Sequence, residues 1–234
     1  MFAAMLERVV QGPEDSGRYG RTLRVDPTCD SGRPGHFPTQ AVIVTTAARR
    51  LIELSKAGEK LQNVLVAGEK DPMLHPDIRQ VCENVKELCH KWYPKVQLTL
   101  EAEALRLVTA EYRHLLTIFH RPIVRFEAGT QKVFSSLTGE RGAGSMKQAI
   151  ENLEKIELER WILLARFGKA PADNSSDAEV KAWIGNLKNL KPAQVLIGGH
   201  PKDAKRKPAP KARLEEIAAQ VAEKTGFSVE VLED

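Results

Sequence analysis

Cys29 is the one thiol that follows a β-type run closely enough to stand on an active-site loop, in the stretch Arg21 to Phe37, RTLRVDPTCDSGRPGHF. A thiolate there is suited to a metal, a cluster iron or an electrophile. Asp71 and Glu127 each follow a different β-type run, and carboxylates at such positions suit a ligand amine or ribose hydroxyls. Gly68 lets backbone approach a ligand closely. The other thiols, Cys82 and Cys89, are seven residues apart within a helical pattern, which puts them on one helix face as small core residues. His90, His114, His120 and His200 show no zinc-binding spacing, and His75 before Pro76 reads as a residue that starts a helix.

Short β-type runs alternating with helical patterns must position these groups. The runs are Thr22 to Val25, Val64 to Gly68, Val96 to Leu100, Ile123 to Phe126, Trp161 to Phe167, Gln194 to Ile197 and a final Val229 to Leu232. Helices are expected over Gln40 to Ala57, from Pro76 toward Trp92, over Glu103 to Phe119, near Gln131 to Ser136, over Met146 to Glu157, over Ala178 to Leu190 and over Ala212 to Lys224. Ser175 or Ser176 is placed to cap the helix from Ala178. The alternation predicts an α/β fold with mostly parallel strands, either a partial (β/α)6 barrel or an open doubly wound sheet. No G-x-G-x-x-G follows the first run, so the dinucleotide-binding version has no support and the partial barrel is expected, as one domain over 1–234. In either geometry the ligand site lies at the carboxyl ends of the strands.

The composition, 42% hydrophobic and 28% charged, fits a globular chain. No apolar run approaches the roughly 20 residues needed to span a bilayer, and an odd cysteine count speaks against a disulfide framework. A cytoplasmic location without membrane contact is expected. The net charge of +4 is concentrated in one place. Between His200 and Arg213, the cations Lys202, Lys205, Arg206, Lys207, Lys211 and Arg213 face only Asp203, a net +5. With three prolines and no aromatic residue, this reads as a flexible basic loop, capable at most of weak, salt-sensitive RNA contact.

Several of these stretches together resemble the radical S-adenosylmethionine (radical SAM) superfamily. Gly12-Pro13, Ser16, Arg18, Gly20, Leu23 and Asp26 are similar in order and spacing to the G-P-x-x-S-R-R-x-G-x-S-L-x-x-D motif of one branch. Thr28-Cys29 match the start of its T-C-x-x-x-C-x-x-C element, but Arg33 and His36 stand where the second and third cysteines belong. The run from Ala67 to Asp77 is similar to S-G-x-G-E-P-T-L-H-P-D, with Lys70-Asp71 in place of Gly-Glu. Thr99-Leu100-Glu101, Arg125 to Gly129 and Asp173 to Asp177 resemble the T-N-G, S-L-D-A-G and N-D-S-x-E stretches of later loops.

The resemblance implies a partial barrel, a [4Fe–4S] cluster held by three thiolates, and S-adenosylmethionine on the fourth iron. It places Gly68, Asp71 and Glu127 at the cofactor pocket and leaves Cys29 as a vestigial metal position. A permanent guanidinium at Arg33 closes the second ligand position to iron. The expectation is therefore a degenerate member with no cofactor, inactive in radical chemistry, that serves as a binding or partner protein for an unknown protein partner or small ligand. The alternatives are an active iron–sulfur enzyme with unusual ligation through Cys29, His36 and a partner residue, and a cluster-free barrel that binds a nucleotide or RNA. Another expectation is that Arg33 and Lys70 fill the volume a cluster would take, pairing with Asp71 or an anion.

Overall fold

A computed structural model describes residues 2–32, 35–68, 70–140, 142, 144–169, 171–201 and 207–232. In chain order the elements are α1 (Phe2–Val9), β1 (Val10–Asp15), β2 (Arg21–Val25), α2 (Gln40–Lys56), β3 (Asn63–Val66), α3 (Ile78–Trp92), β4 (Gln97–Glu103), α4 (Ala110–Leu115), β5 (Arg121–Arg125), α5 (Gln131–Thr138), α6 (Ser145–Glu154), β6 (Ile162–Phe167), α7 (Asp177–Asn186), β7 (Gln194–Gly199), α8 (Lys211–Thr225) and β8 (Val229–Val231). The fold class is α/β with mostly parallel strands, as the alternation of runs predicts. By its contacts the chain divides into two compact units, residues 1–102 with 114–122, and residues 103–113 with 123–234.

In the first unit β1 pairs antiparallel with β2, and β2, β3 and β4 then pair in parallel. Alternation along these strands separates two faces. Leu23, Val25, Val64, Val66, Leu98 and Leu100 are fully buried on one. On the other, Asn63 links Thr22 to Thr99, its amide nitrogen 3.4 Å from one hydroxyl and its oxygen 2.7 Å from the other. α2 buries Ile43, Ala47, Leu51 and Leu54, and α3 buries Val81, Cys82, Val85 and Cys89.

In the second unit β5, β6, β7 and β8 pair in parallel in chain order. Neither unit shows the reversal of strand order that a doubly wound sheet requires, so the strands advance in the barrel manner. Phe167 meets the edge of Trp183 on α7 with ring centroids 5.1 Å apart. This fixes which face of β6 the helix covers.

Three elements differ from the sequence expectation, the first being α1, a helix ahead of the first expected run. β1 is an additional strand, interrupted in register at Gly12-Pro13; a proline there is tolerated because it sits at a bulge on an edge strand. The helix expected over Glu103 to Phe119 is instead a 3-10 turn at Ala104–Arg106, α4, and a second 3-10 turn at Leu116–Ile118. Thr109 Oγ1 accepts from Tyr112 N–H at 3.2 Å and Arg113 donates to the Leu107 and Val108 carbonyls, so this segment starts a new helix at its centre.

Candidate functional site

The loop after β2 is joined to the loop after β3 by hydrogen bonds within the first unit. Asp26 Oδ1 accepts from Thr28 N–H at 2.8 Å and lies 3.0 Å from Thr28 Oγ1. That hydroxyl lies 2.8 Å from the Lys70 carbonyl oxygen, its one proton shared between the two acceptors, and it accepts from Lys70 N–H at 3.3 Å. Gly68 is required at this junction, because a Cβ there would fall 2.6 Å from Asp26 Oδ1 and 2.5 Å from the Lys70 carbonyl. Arg24 Nε reaches across to the Ala67 carbonyl at 3.1 Å.

Cys29 follows Thr28 on this loop and is fully buried. Beyond it, Ser31 Oγ donates to the His36 carbonyl at 2.6 Å, and the His36 side chain is exposed. Arg33 lies outside the described residues, and so does the expectation that it fills the cluster volume. Lys70 is exposed with its ammonium 5.6 Å from the centroid of Phe37, which stacks on His75 at 6.1 Å. Since a carbonyl only accepts and an amide N–H only donates, His75 is the Nε2–H tautomer: Nε2 donates to Pro38 O at 2.8 Å and Nδ1 accepts from Asp77 N–H at 3.1 Å. A cavity of about 700 Å³ opens here between His36, Phe37, Val42, His75 and Asp77. Asp71 is buried, and its Oδ1 accepts from Met73 N–H at 2.7 Å to cap the 3-10 turn Pro72–Leu74.

Glu127 belongs to the second unit. Its Oε2 accepts from Arg166 N–H at 2.9 Å, and it borders a small cavity of about 40 Å³ with Glu103, Arg125 and Phe134. The loop that starts at Glu127 is held from behind. Asn174 Nδ2 donates to the Glu127 carbonyl at 2.8 Å, Trp183 Nε1 to the Phe126 carbonyl at 3.0 Å, and Asn186 Nδ2 to the Gly129 carbonyl at 3.1 Å. Glu179 accepts from the backbone N–H groups of Gly129 and Thr130. Sequence reasoning singled out Asn174 only as part of a motif and did not single out Glu179. The available signal was an acidic residue in the first turn of α7.

Of the basic stretch, Lys202, Lys205 and Arg206 lie outside the described residues. Lys207 and Lys211 are exposed, and Lys211 and Arg213 already belong to α8. Arg213 donates to the Ser175 carbonyl at 2.9 Å, to Asp177 at 2.7 Å and to Glu216 at 2.9 Å. Ser176 occupies the N-cap of α7 without a side-chain bond, while Ser175 Oγ is taken by Asp173 Oδ1 at 2.7 Å.

No sequence-family profile matches the chain, and neither does any curated protein sequence. Solved structures do match. A radical SAM methyltransferase from Sphaerobacter thermophilus, 15% identical, aligns over 90% of this chain and 66% of its own, with a TM-score of 0.62. A structure of TYW1 with a lysine–pyruvate adduct bound, 9% identical, aligns over 96% of this chain and 83% of its own at 0.63. The chain has the radical SAM fold. A domain of a pyruvate-formate lyase-activating enzyme from Bacteroides vulgatus, 11% identical, aligns over 74% of this chain and 99% of its own at 0.53. The chain thus spans about two thirds of the methyltransferase's length.

The radical SAM fold implies a [4Fe–4S] cluster on three thiolates. Among the described residues the donors do not fit it. Cys82 and Cys89 lie on the buried face of α3, and burial pushes both thiols up, Cys89 to about 12, so neither supplies a thiolate at neutral pH. Among the described residues no group of three His, Cys, Asp or Glu side chains is placed to hold a metal ion. Nor, among them, is any helix long and apolar enough to cross a membrane.

Proposed function

We propose that this chain is a degenerate member of the radical SAM superfamily that works as a binding or partner protein, without the radical chemistry of its relatives. The observation that carries the reading is the hydrogen-bonded junction of Asp26, Thr28, Gly68 and Lys70, next in sequence to a buried Cys29. Thr28 and the backbone of Lys70 bond each other, so the loop is held to its neighbour by hydrogen bonds. Arg33 and His36 in place of the second and third cysteines remove two thiolates, and the buried thiols of α3 do not replace them. Asp71, the residue aligned with a cofactor-binding glutamate, uses one oxygen to cap its own loop.

The test is anaerobic purification and reconstitution with iron and sulfide, comparing the wild type with Cys29→Ala. The expected result is no bound iron or sulfide above that of the variant. A stoichiometric cluster whose visible absorbance disappears with Cys29→Ala would sink the proposal and return the chain to the S-adenosylmethionine-cleaving enzymes.

A further inference from the structure

We infer that the end of β6 and the approach to α8 form a docking edge for the phosphate backbone of duplex nucleic acid, built on Lys169 and Lys207. The edge is organised by the backbone. Ala209 N–H donates to the Phe167 carbonyl at 3.0 Å, Lys169 N–H donates to the Lys207 carbonyl at 2.9 Å, and Gly168 pairs with Pro208 as an antiparallel bridge. Gly168 makes this approach possible, since a Cβ there would stand 2.5 Å from His200 Cδ2. The pairing sets Lys169 beside Lys207, both exposed, with exposed Lys211 opening α8 four residues further on.

Arg213 does not belong to this edge. Its guanidinium is committed to Ser175, Asp177 and Glu216, and its side chain is only 20% exposed. Lys169 comes from a different part of the sequence and is added to the basic stretch only by the fold. By sequence the stretch from His200 to Arg213 holds a net +5 in a chain whose total is +4, and its described exposed cations are Lys207 and Lys211.

The chemistry selects the partner. Lysine is depleted at protein–protein interfaces, and no aromatic or large apolar side chain stands among residues 200–213 to form an interface core. The absence of aromatics also removes the stacking platform that single strands use. Exposed lysines on paired backbone suit the phosphates of a duplex, bound without reading its sequence.

The experiment measures binding of labelled duplex DNA and duplex RNA to the full chain over a series of salt concentrations. Comparison is with Lys169→Ala/Lys207→Ala and with a control pair, Lys188→Ala/Lys191→Ala, which removes the same charge ahead of β7, at the amino-terminal end of the strands. Circular dichroism checks that each variant folds. The expected result is binding whose log–log salt slope becomes shallower by about 2 in the first variant and is unchanged in the control. Binding to one duplex only would name the source and leave the edge in place. Failure of both duplexes to bind at low salt, equal loss in the two variants, or binding only to vesicles of anionic lipid would overturn it.

Discussion

Glu179 on α7 closes on Thr130 at the start of α5, with Oε2 accepting the Thr130 backbone N–H at 3.1 Å and Oε1 lying 2.5 Å from its hydroxyl. The same Oε2 accepts from Gly129 N–H at 2.9 Å. One carboxylate thereby satisfies the loop after β5 and stands at the positive end of the next helix, an arrangement that hydrogen bonding and the helix dipole both favour. A Cβ on Gly129 would sit 2.8 Å from Glu179 Oε2, so this contact also requires the glycine.

Replacing Glu179 with Ala leaves the Gly129 N–H buried without an acceptor and is expected to cost about 2–4 kcal/mol, while Glu179→Gln, which keeps one acceptor oxygen, costs about 1–2 kcal/mol. Denaturant titration reads this as a lower midpoint at unchanged slope. Equal midpoints for the wild type and Glu179→Ala would show that the carboxylate does not hold the loop.

At the junction of the first unit, Gly68→Ala brings a methyl group against Asp26 Oδ1 and the Lys70 carbonyl. The site has little room to yield, and the substitution is expected to destabilise by about 1–3 kcal/mol. Thr28→Val keeps the side-chain shape but removes the hydroxyl, and is expected to cost about 1–3 kcal/mol, whereas Thr28→Ser retains most of the stability. A valine variant as stable as the serine variant would show that the Thr28 hydroxyl contributes nothing.

Cys82 and Cys89 should resist alkylation in the native protein at pH 8 and react once it is unfolded. Their folded values lie above the ordinary 9.0, so in alkaline solution the unfolded chain loses these protons first. Their contribution is intact below pH 9 and declines by about 1.4 kcal/mol per pH unit per thiol as the pH rises toward the folded values. The alkaline loss should shrink in Cys82→Ala/Cys89→Ala, measured against its own stability at pH 8. An unchanged alkaline profile would place these thiols in contact with water.

Much of the α/β alternation was legible because each strand is a short apolar or β-branched run, a pattern that states both period and burial. β1 was hidden because Gly12-Pro13 interrupts its run, and the proline reads as a break unless the strand is known to be an edge. The helix expected from Glu103 was broken for a local reason that competes with periodicity, the cap made by Thr109. On the candidate site, the loop carrying Cys29 and the loop carrying Gly68 were identified from motif order, and of the two serines expected at the cap of α7, Ser176 takes the position while Asp173 takes the Ser175 hydroxyl.

The sequence by itself determined the alternation of elements, the presence of arginine at 33 and histidine at 36, and the concentration of positive charge between His200 and Arg213. These depend on residue type and spacing, which folding does not change. Only the tertiary structure decided that Thr28 meets Lys70, that Glu179 caps the loop at Thr130, that Arg213 is neutralised by Asp177 and Glu216, and that Lys169 stands beside Lys207. Most of these contacts join residues 36 to 49 positions apart, and Arg213 also bonds to Glu216 one helical turn away. The distant pairings follow from strand register and from where each crossover helix returns, quantities that no local pattern of side chains encodes.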